Sequence, residues 1–211
     1  MLKPNRNMSQ KNPAGRTTRD YLENIKKQGH GSVLEHANYT LLYEGVSRSL
    51  THELVRHRAG FAYSQLSQRY VDEKDASFVV PPAVAGDEAL ERAWRSQVDG
   101  ALASYIALVE QLMERYAWVG DKVHRRKMAR EAARGVLPNS TETKIVVTGN
   151  ARAWRTMLEL RSSEGAELEI RRLAVATLRL LAAEAPGFFS DFEIYEGEDR
   201  REAARVAFHK V

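Results

Sequence analysis

Apolar residues recur along this chain at helical spacing in some segments and alternate or cluster in others, and the pattern divides it into elements. "TTRDYLENIKKQGHG" carries helix signals: Thr17 can cap, Asp20 follows three residues later, and Gly29 can end the helix. "ANYTLLYEG" is β-branched and aromatic enough to predict a strand. "VSRSLTHELVRH" returns to helical spacing, with Val46, Leu50 and Leu54 every four residues. "ASFVVPP" reads as a short strand stopped by Pro81 and Pro82. A long helix is expected from Asp87 to Trp118, a shorter one from Lys122 to Arg134, and a strand at "TETKIVVTG". Asn150 is a good cap for the helix "NARAWRTMLELR", and a last long helix spans Ala166 to Ala185, ending before Pro186. Helices outnumber strands without regular βαβ alternation. The expected fold is therefore α+β, one domain over residues 1–211, with a mixed or antiparallel sheet flanked by long helices. Residues 1–16 and 193–211 are expected to be peripheral arms.

One stretch does not fit a packing pattern. "RHRAGFAYSQLSQRY", Arg56 to Tyr70, gathers Arg56, His57, Arg58 and Arg69 with two serines, two glutamines and two tyrosines. Projected as a helix, Glu53, Arg56 and His57 are spaced i, i+3 and i+4 and converge on one patch. A single Glu53 ion pair with Arg56 or His57 would explain that patch without any ligand. On "NARAWRTMLELR", Trp154, Met157 and Leu158 form the apolar stripe and Arg161 falls on it. Arg161, and Arg134 at the end of "RRKMAREAARG", can each be read as a helix-terminal arginine facing carbonyls. Taken together with Arg56, Arg58 and Arg69, they suggest an anion, because burying unpaired charge is costly.

Composition narrows the chemistry. The 211 residues include 32 Lys and Arg against 28 Asp and Glu, a net charge of +4 that suits anionic partners. There is no cysteine, so no disulfide, thiolate zinc site or cysteine nucleophile is available. No G-x-G-x-x-G follows a strand, and neither a Walker loop nor H-E-x-x-H occurs. His30 and His36 match no standard zinc spacing, and no metal is expected. The absence of an apolar leader or a membrane-length apolar run predicts a cytoplasmic protein with no membrane partner. Charges alternate in sign without a basic stripe of spaced aromatics, which argues against a nucleic-acid partner and against the rival reading of a non-catalytic nucleic-acid-binding protein.

"RHRAGFAYSQLSQRY" resembles the signature of the flavin-dependent thymidylate synthases, an Arg-His-Arg followed seven or eight residues later by Ser; here Ala59 to Leu66 precede Ser67. The resemblance extends through "GHGSVLEHANYT", "EGVSRSLTHELV", "AREAARGVLPNSTETKIVVTGNARAWR" and "EIRRLA", and is closest to the actinobacterial members. It implies a homotetramer with active sites shared between subunits, and FAD held without a dinucleotide-binding glycine loop. It also implies transfer of the methylene of methylenetetrahydrofolate to C5 of dUMP, with NADPH regenerating the reduced flavin. That route needs no enzyme cysteine, in keeping with a cysteine-free chain. The family's nucleotide-binding residues fall on Glu53, Arg56, Gln65, Leu66, Ser67, Gln68, Arg69, Arg134 and Arg161, with Arg161 in the catalytic place beside the uracil. Its flavin contacts fall on Ser32, Arg56, His57, Arg58, Gln65, Asn150 and Arg152, and His30 matches a histidine near the flavin ring. Thr156 stands where relatives commonly carry His or Asn, and Gly165 where they have the His of "SEHA". These departures, with Gly60 in the longer form of the loop between Arg58 and Ser67, imply a relaxed sugar pocket. UMP then becomes a second acceptor, as in relatives from nucleoside-antibiotic pathways.

Overall fold

In the computed structural model, Gly15 and residues 17–211 are described, so the arm expected at 1–16 lies, Gly15 apart, outside the described residues. The chain is α+β, as expected. Its elements in chain order are α1 (Thr18–Lys27), a 3-10 turn (Gly31–His36), β1 (Asn38–Ser47), α2 (Arg48–Leu54), β2 (Phe61–Gln65) and α3 (Glu88–Arg115). There follow α4 (Lys122–Ala133), a second 3-10 turn (Arg134–Val136), β3 (Glu142–Asn150), α5 (Ala151–Arg161), α6 (Leu168–Glu184), α7 (Pro186–Phe189), β4 (Phe192–Glu196) and β5 (Glu202–Val206). They divide into two compact units, one of the described residues up to 38 with 150–167 and 171–211, the other of 39–149 and 168–170.

In the second unit β3 is central, with sheet order β1-β3-β2 and β2 antiparallel to it, Tyr63 opposite Val147. Thr143, Ile145 and Val147 are buried while Lys144 and Val146 face out, the period-2 alternation of a half-buried strand. Leu50 and Leu54 of α2 and Val98 and Tyr105 of α3 complete this core with Ala129 and Ala133 of α4. Asp87 caps α3 by accepting from the Ala89 and Leu90 amides, satisfying orphan donors of its first turn.

In the first unit Thr17 and Asp20 form the expected capping box on α1. Trp154, Met157 and Leu158 of α5 are buried, as their stripe predicted, among core residues that include Leu34, Phe189 and Ala203. A buried ion cluster fastens this unit. Arg155 donates to both Asp191 carboxylate oxygens at 2.6 and 2.8 Å, and Lys26 to the same carboxylate at 2.8 Å. Arg155 and Lys26 are 2% and 3% exposed, so both depend on that one anion.

Several expectations need correction. The helix predicted through His57 stops at Leu54, and Val46 belongs to β1. Arg56 and His57 lie in the turn beyond it. The stretch from Phe61 to Gln65, read as loop, is strand β2, hidden from pattern reading because its alternation is short and polar on one side. "ASFVVPP" makes only a single bridge, Phe78 to Thr141, since the two prolines remove the donors a longer ladder needs. Residues 193–211 are not a peripheral arm: β4 and β5 form a hairpin, Phe192 opposite Val206, with Ala203, Ala204, Val206 and Val211 buried. Alanines in "REAARVAFHK" carry too little hydrophobic signal to announce a buried strand.

Candidate functional site

In the second unit the motif is built around the end of α2. Ser47 caps this helix by accepting from the Leu50 amide, and Glu169 grips Ser47 through its amide at 2.8 Å and hydroxyl at 2.6 Å. Beyond Leu54 the chain winds on through single-turn bonds, Arg56 N–H to Glu53 O and His57 N–H to Leu54 O. Tyr63 of β2 pins this turn. Its hydroxyl lies 2.6 Å from the His57 carbonyl and 3.0 Å from the Leu54 carbonyl, and burial pushes its phenol up to about 12. Gly60 has φ +76°, a left-handed conformation that lets the chain reverse from Arg58 into β2. Arg56 and Arg58 are exposed, and neither side chain meets a carboxylate among the described residues.

Strand β2 then delivers Gln65, whose Nε2 donates to Thr51 at 3.1 Å and more weakly to Thr143 at 3.4 Å. This fixes the amide and leaves its oxygen available. Leu66 is exposed, its amide bonded to the Lys144 carbonyl and its own carbonyl to Arg48 Nη2. A groove of about 300 Å³ runs along this sheet face, lined by Leu42, Gln65, Leu66, Ser67, Lys144 and Val146 among others.

After the strand, Ser67 opens a tight turn, its Oγ accepting from the Arg69 amide and its carbonyl from the Tyr70 and Val71 amides. One side of α4 grips this turn at spacing i, i+3 and i+4, and Arg134 of the following 3-10 turn stands at i+7. Lys127 Nζ sits 5.1 Å from the Tyr70 ring centroid, and Arg130 donates to the Tyr70 carbonyl and to Asp72. Glu131 pairs with Arg69 at 2.7 Å. Arg134 is half-buried and meets no carboxylate among the described residues. It lies close enough to Arg48 to lower that guanidinium further; burial is the main cause of the lowering, and Glu73 opposes it. Arg48 Nε, Arg69 Nε and Gln68 Nε2 are buried without a hydrogen-bond partner. Donors left dry in this way are costly unless an acceptor arrives. Of the predicted residues, Glu53, Arg56, His57, Arg58, Gln65, Leu66, Ser67, Gln68, Arg69 and Arg134 all belong to this unit. Sequence reading missed Arg48, Glu73, Lys127, Arg130 and Glu131. The helical spacing of 127, 130, 131 and 134 was a signal that could have found the last three.

In the first unit, His30 and Ser32 are exposed at the start of the first 3-10 turn. A Cβ at Gly31 would lie 2.7 Å from Arg152 Nε and 2.8 Å from the Val211 backbone, so only glycine admits this approach. Arg152 pairs with Glu35 at 2.6 Å, and the Asn150 side-chain oxygen caps α5 by accepting from the Ala153 amide at 2.9 Å. Thr156 is exposed and donates to the Arg152 carbonyl, so its hydroxyl hydrogen is taken by its own helix. Arg161 is half-buried as the last residue of α5. Gly165 is exposed, and a Cβ there would meet nothing within 4 Å.

Comparison with known proteins gives the family. The family model described as thymidylate synthase complementing protein matches residues 2–187. A flavin-dependent thymidylate synthase of Mycobacteroides abscessus is 53% identical over 196 residues, covering 93% of this chain and 78% of the relative. Its counterpart in Mycobacterium sp. (strain JLS) is 52% identical over 202 residues, with the same coverage. The enzyme of that name from Mycobacterium tuberculosis (strain H37Ra) is 52% identical over 196 residues. The chain belongs to the flavin-dependent thymidylate synthase family. As a member it is an enzyme of the methyltransferase class. No helix among the described residues is long and apolar enough to cross a membrane.

Proposed function

We propose that this enzyme methylates C5 of dUMP, with methylenetetrahydrofolate as carbon donor and FAD as its flavin, reduced by NADPH. The observation that carries the reading is the set of buried unpaired donors on Arg48, Gln68 and Arg69, in the segment that follows the groove-lining residues Gln65, Leu66 and Ser67 and in the helix whose Arg48 holds the Leu66 carbonyl. A phosphate monoester offers a dianion and three acceptor oxygens, which match such a set. Gln65, held by Thr51, orients the pyrimidine, while Ser67 and Arg69 bind at the phosphate end. Arg161 acts on the uracil. Its guanidinium stabilises the negative charge that develops on the ring as C5 becomes nucleophilic.

Arg56 and Arg58, exposed cations without carboxylate partners among the described residues, fit the diphosphate of FAD. His57 completes that turn. His30, Ser32, Asn150, Arg152 and Thr156 are further flavin contacts, with the Asn150 amide nitrogen and the Arg152 guanidinium as donors. The bound flavin supplies the hydride that completes the methyl group. The protein is cytoplasmic and works as a homotetramer whose subunits share active sites.

UMP is a second acceptor, since a pocket without polar complementarity rejects an added hydroxyl only by roughly 10². The longer Arg58–Ser67 segment contributes less than its length implies, because β2 takes up most of it and only a short turn at Ala59–Gly60 precedes the strand. The test is direct. Purified protein should be yellow, release FAD on denaturation and convert dUMP to dTMP when given methylenetetrahydrofolate and NADPH. Colourless protein that takes up no FAD and binds DNA with a steep salt dependence would overturn the reading. Failure of UMP to bind or be methylated where dUMP saturates would remove the second acceptor alone.

A further inference from the structure

The first unit holds a cavity of about 220 Å³ that is lined by none of the residues assigned above to nucleotide or flavin. Its walls are Arg19, Glu23 and Lys26 of α1, Ser190 and Asp191 just after α7, and Phe208. Arg19, Glu23 and Lys26 stand at i, i+4 and i+7, so α1 presents all three along one face.

The charges behind this wall do not balance. Lys26 and Arg155 are both buried, both bond to Asp191, and neither pairs with another carboxylate among the described residues. Two buried cations thus share one anion. Lys26 gives Asp191 one of its three N–H donors, at 2.8 Å, and meets no other acceptor among the described residues. Arg155 Nε is buried without a hydrogen-bond partner. At the rim Glu23 is engaged by Lys27 at 3.1 Å, while the exposed Arg19 adds a further cation. Positive charge held out of water is costly unless an anion offsets it. The residues that precede α1 cannot supply that anion from their side chains, because the sequence has no Asp or Glu before Asp20.

We propose that this cavity is a binding site for a small oxyanion, a phosphate or carboxylate group, seated on Lys26 with Arg19 and the Ser190 hydroxyl at its mouth. Lys26 supplies the free ammonium donors and Arg19 a planar fork suited to either group. A water molecule takes up about 30 Å³ of liquid, so the cavity has room for the anion and a short carbon chain. The Phe208 ring, its centroid 5.9 Å from Lys26 Nζ, gives that chain an apolar wall. Asp191 keeps Arg155 as a bidentate partner at 2.6 and 2.8 Å, so the ligand need only offset the second cation. The proposal does not rest on the nucleotide reading.

The experiment titrates inorganic phosphate into the flavin-loaded, dUMP-saturated enzyme by calorimetry, with chloride holding the ionic strength constant, and repeats this for Lys26→Met and Arg19→Ala. The wild type should bind phosphate at this site, and Lys26→Met should weaken it by about tenfold or more. Arg19→Ala, at the exposed rim, should weaken it by about threefold. FAD content and dUMP affinity should be unchanged in both variants. Phosphate at about ten times its dissociation constant should raise the wild-type Tm by about 3–6 °C. Acetate in place of phosphate separates the two groups, and whichever anion binds more tightly, through Lys26, names the class. Binding of neither anion beyond the effect of chloride, or equal affinity in wild type and Lys26→Met, overturns the proposal. If Lys26→Met does not fold, Arg19→Ala decides, and wild-type affinity in that variant overturns the proposal.

Discussion

Replacing Tyr63 by Phe should loosen the turn that presents Arg56, His57 and Arg58 while leaving the strand that carries it in place. The ring stays, stacked on Phe61 at 5.8 Å, so no cavity opens. What is lost is one donor shared between the Leu54 and His57 carbonyls at 3.0 and 2.6 Å. A neutral hydrogen bond contributes about 1 kcal/mol net, and a carbonyl left dry costs about 1–3 kcal/mol, so the whole effect should be about 1–3 kcal/mol. For a chain of this size each kcal/mol lowers Tm by about 2–4 °C. Thermal unfolding should therefore show a fall of several degrees, and FAD affinity should fall with it, because the loosened turn holds the proposed flavin-binding arginines. The pH dependence gives a second readout. The phenol's pKa is raised from 10.0 to about 12, so its contribution is fully present below the unfolded value and is lost as the pH rises through the folded one. The gap between wild type and variant should thus shrink over that interval. Tyr21→Phe, at an exposed position on α1, is the control and should change nothing. A Tm within about 1 °C of wild type together with unchanged FAD affinity would refute the reasoning, since a hydrogen bond of the stated size predicts more.

Asp191→Asn removes the anion shared by Arg155 and Lys26 and should destabilise the protein by about 3–5 kcal/mol in denaturant titration. Burial pushes the Asp191 carboxyl up but Arg155 and Lys26 outweigh it, leaving it below 3.8; its stabilisation is present above that value and is lost on further acidification, a loss the Asn variant should lack. Arg161→Lys keeps the charge but not the planar fork, and should cause a large fall in dUMP methylation with FAD content unchanged; near-normal turnover would remove Arg161 from the catalytic role. Arg134→Ala should weaken dUMP binding by about 1.5–3 kcal/mol and spare deoxyuridine, whereas equal losses for both would make Arg134 structural.

Much of this protein was legible in the sequence wherever one local signal sufficed. The Thr17–Asp20 box, the Asn150 cap and the strand at "TETKIVVTG" are short-range chemistry, and each appears where it was read. The motif stood out in the sequence as well, since so many arginines, serines and glutamines among few apolar residues have no packing explanation. What the tertiary structure alone decided are pairings between residues distant in sequence. Strand β2 exists because β3 lies beside it, and five residues of half-polar alternation cannot declare a strand without that partner. The C-terminal hairpin buries alanines, whose contribution depends on what packs against them rather than on their own hydrophobicity. Arg155 and Asp191, 36 positions apart and each ordinary in its local context, become a buried ion pair only when α5 and the segment before β4 meet. Charge at a surface position and charge in a shared buried pocket look the same in a sequence, and only their separation and burial in the fold set their energies apart.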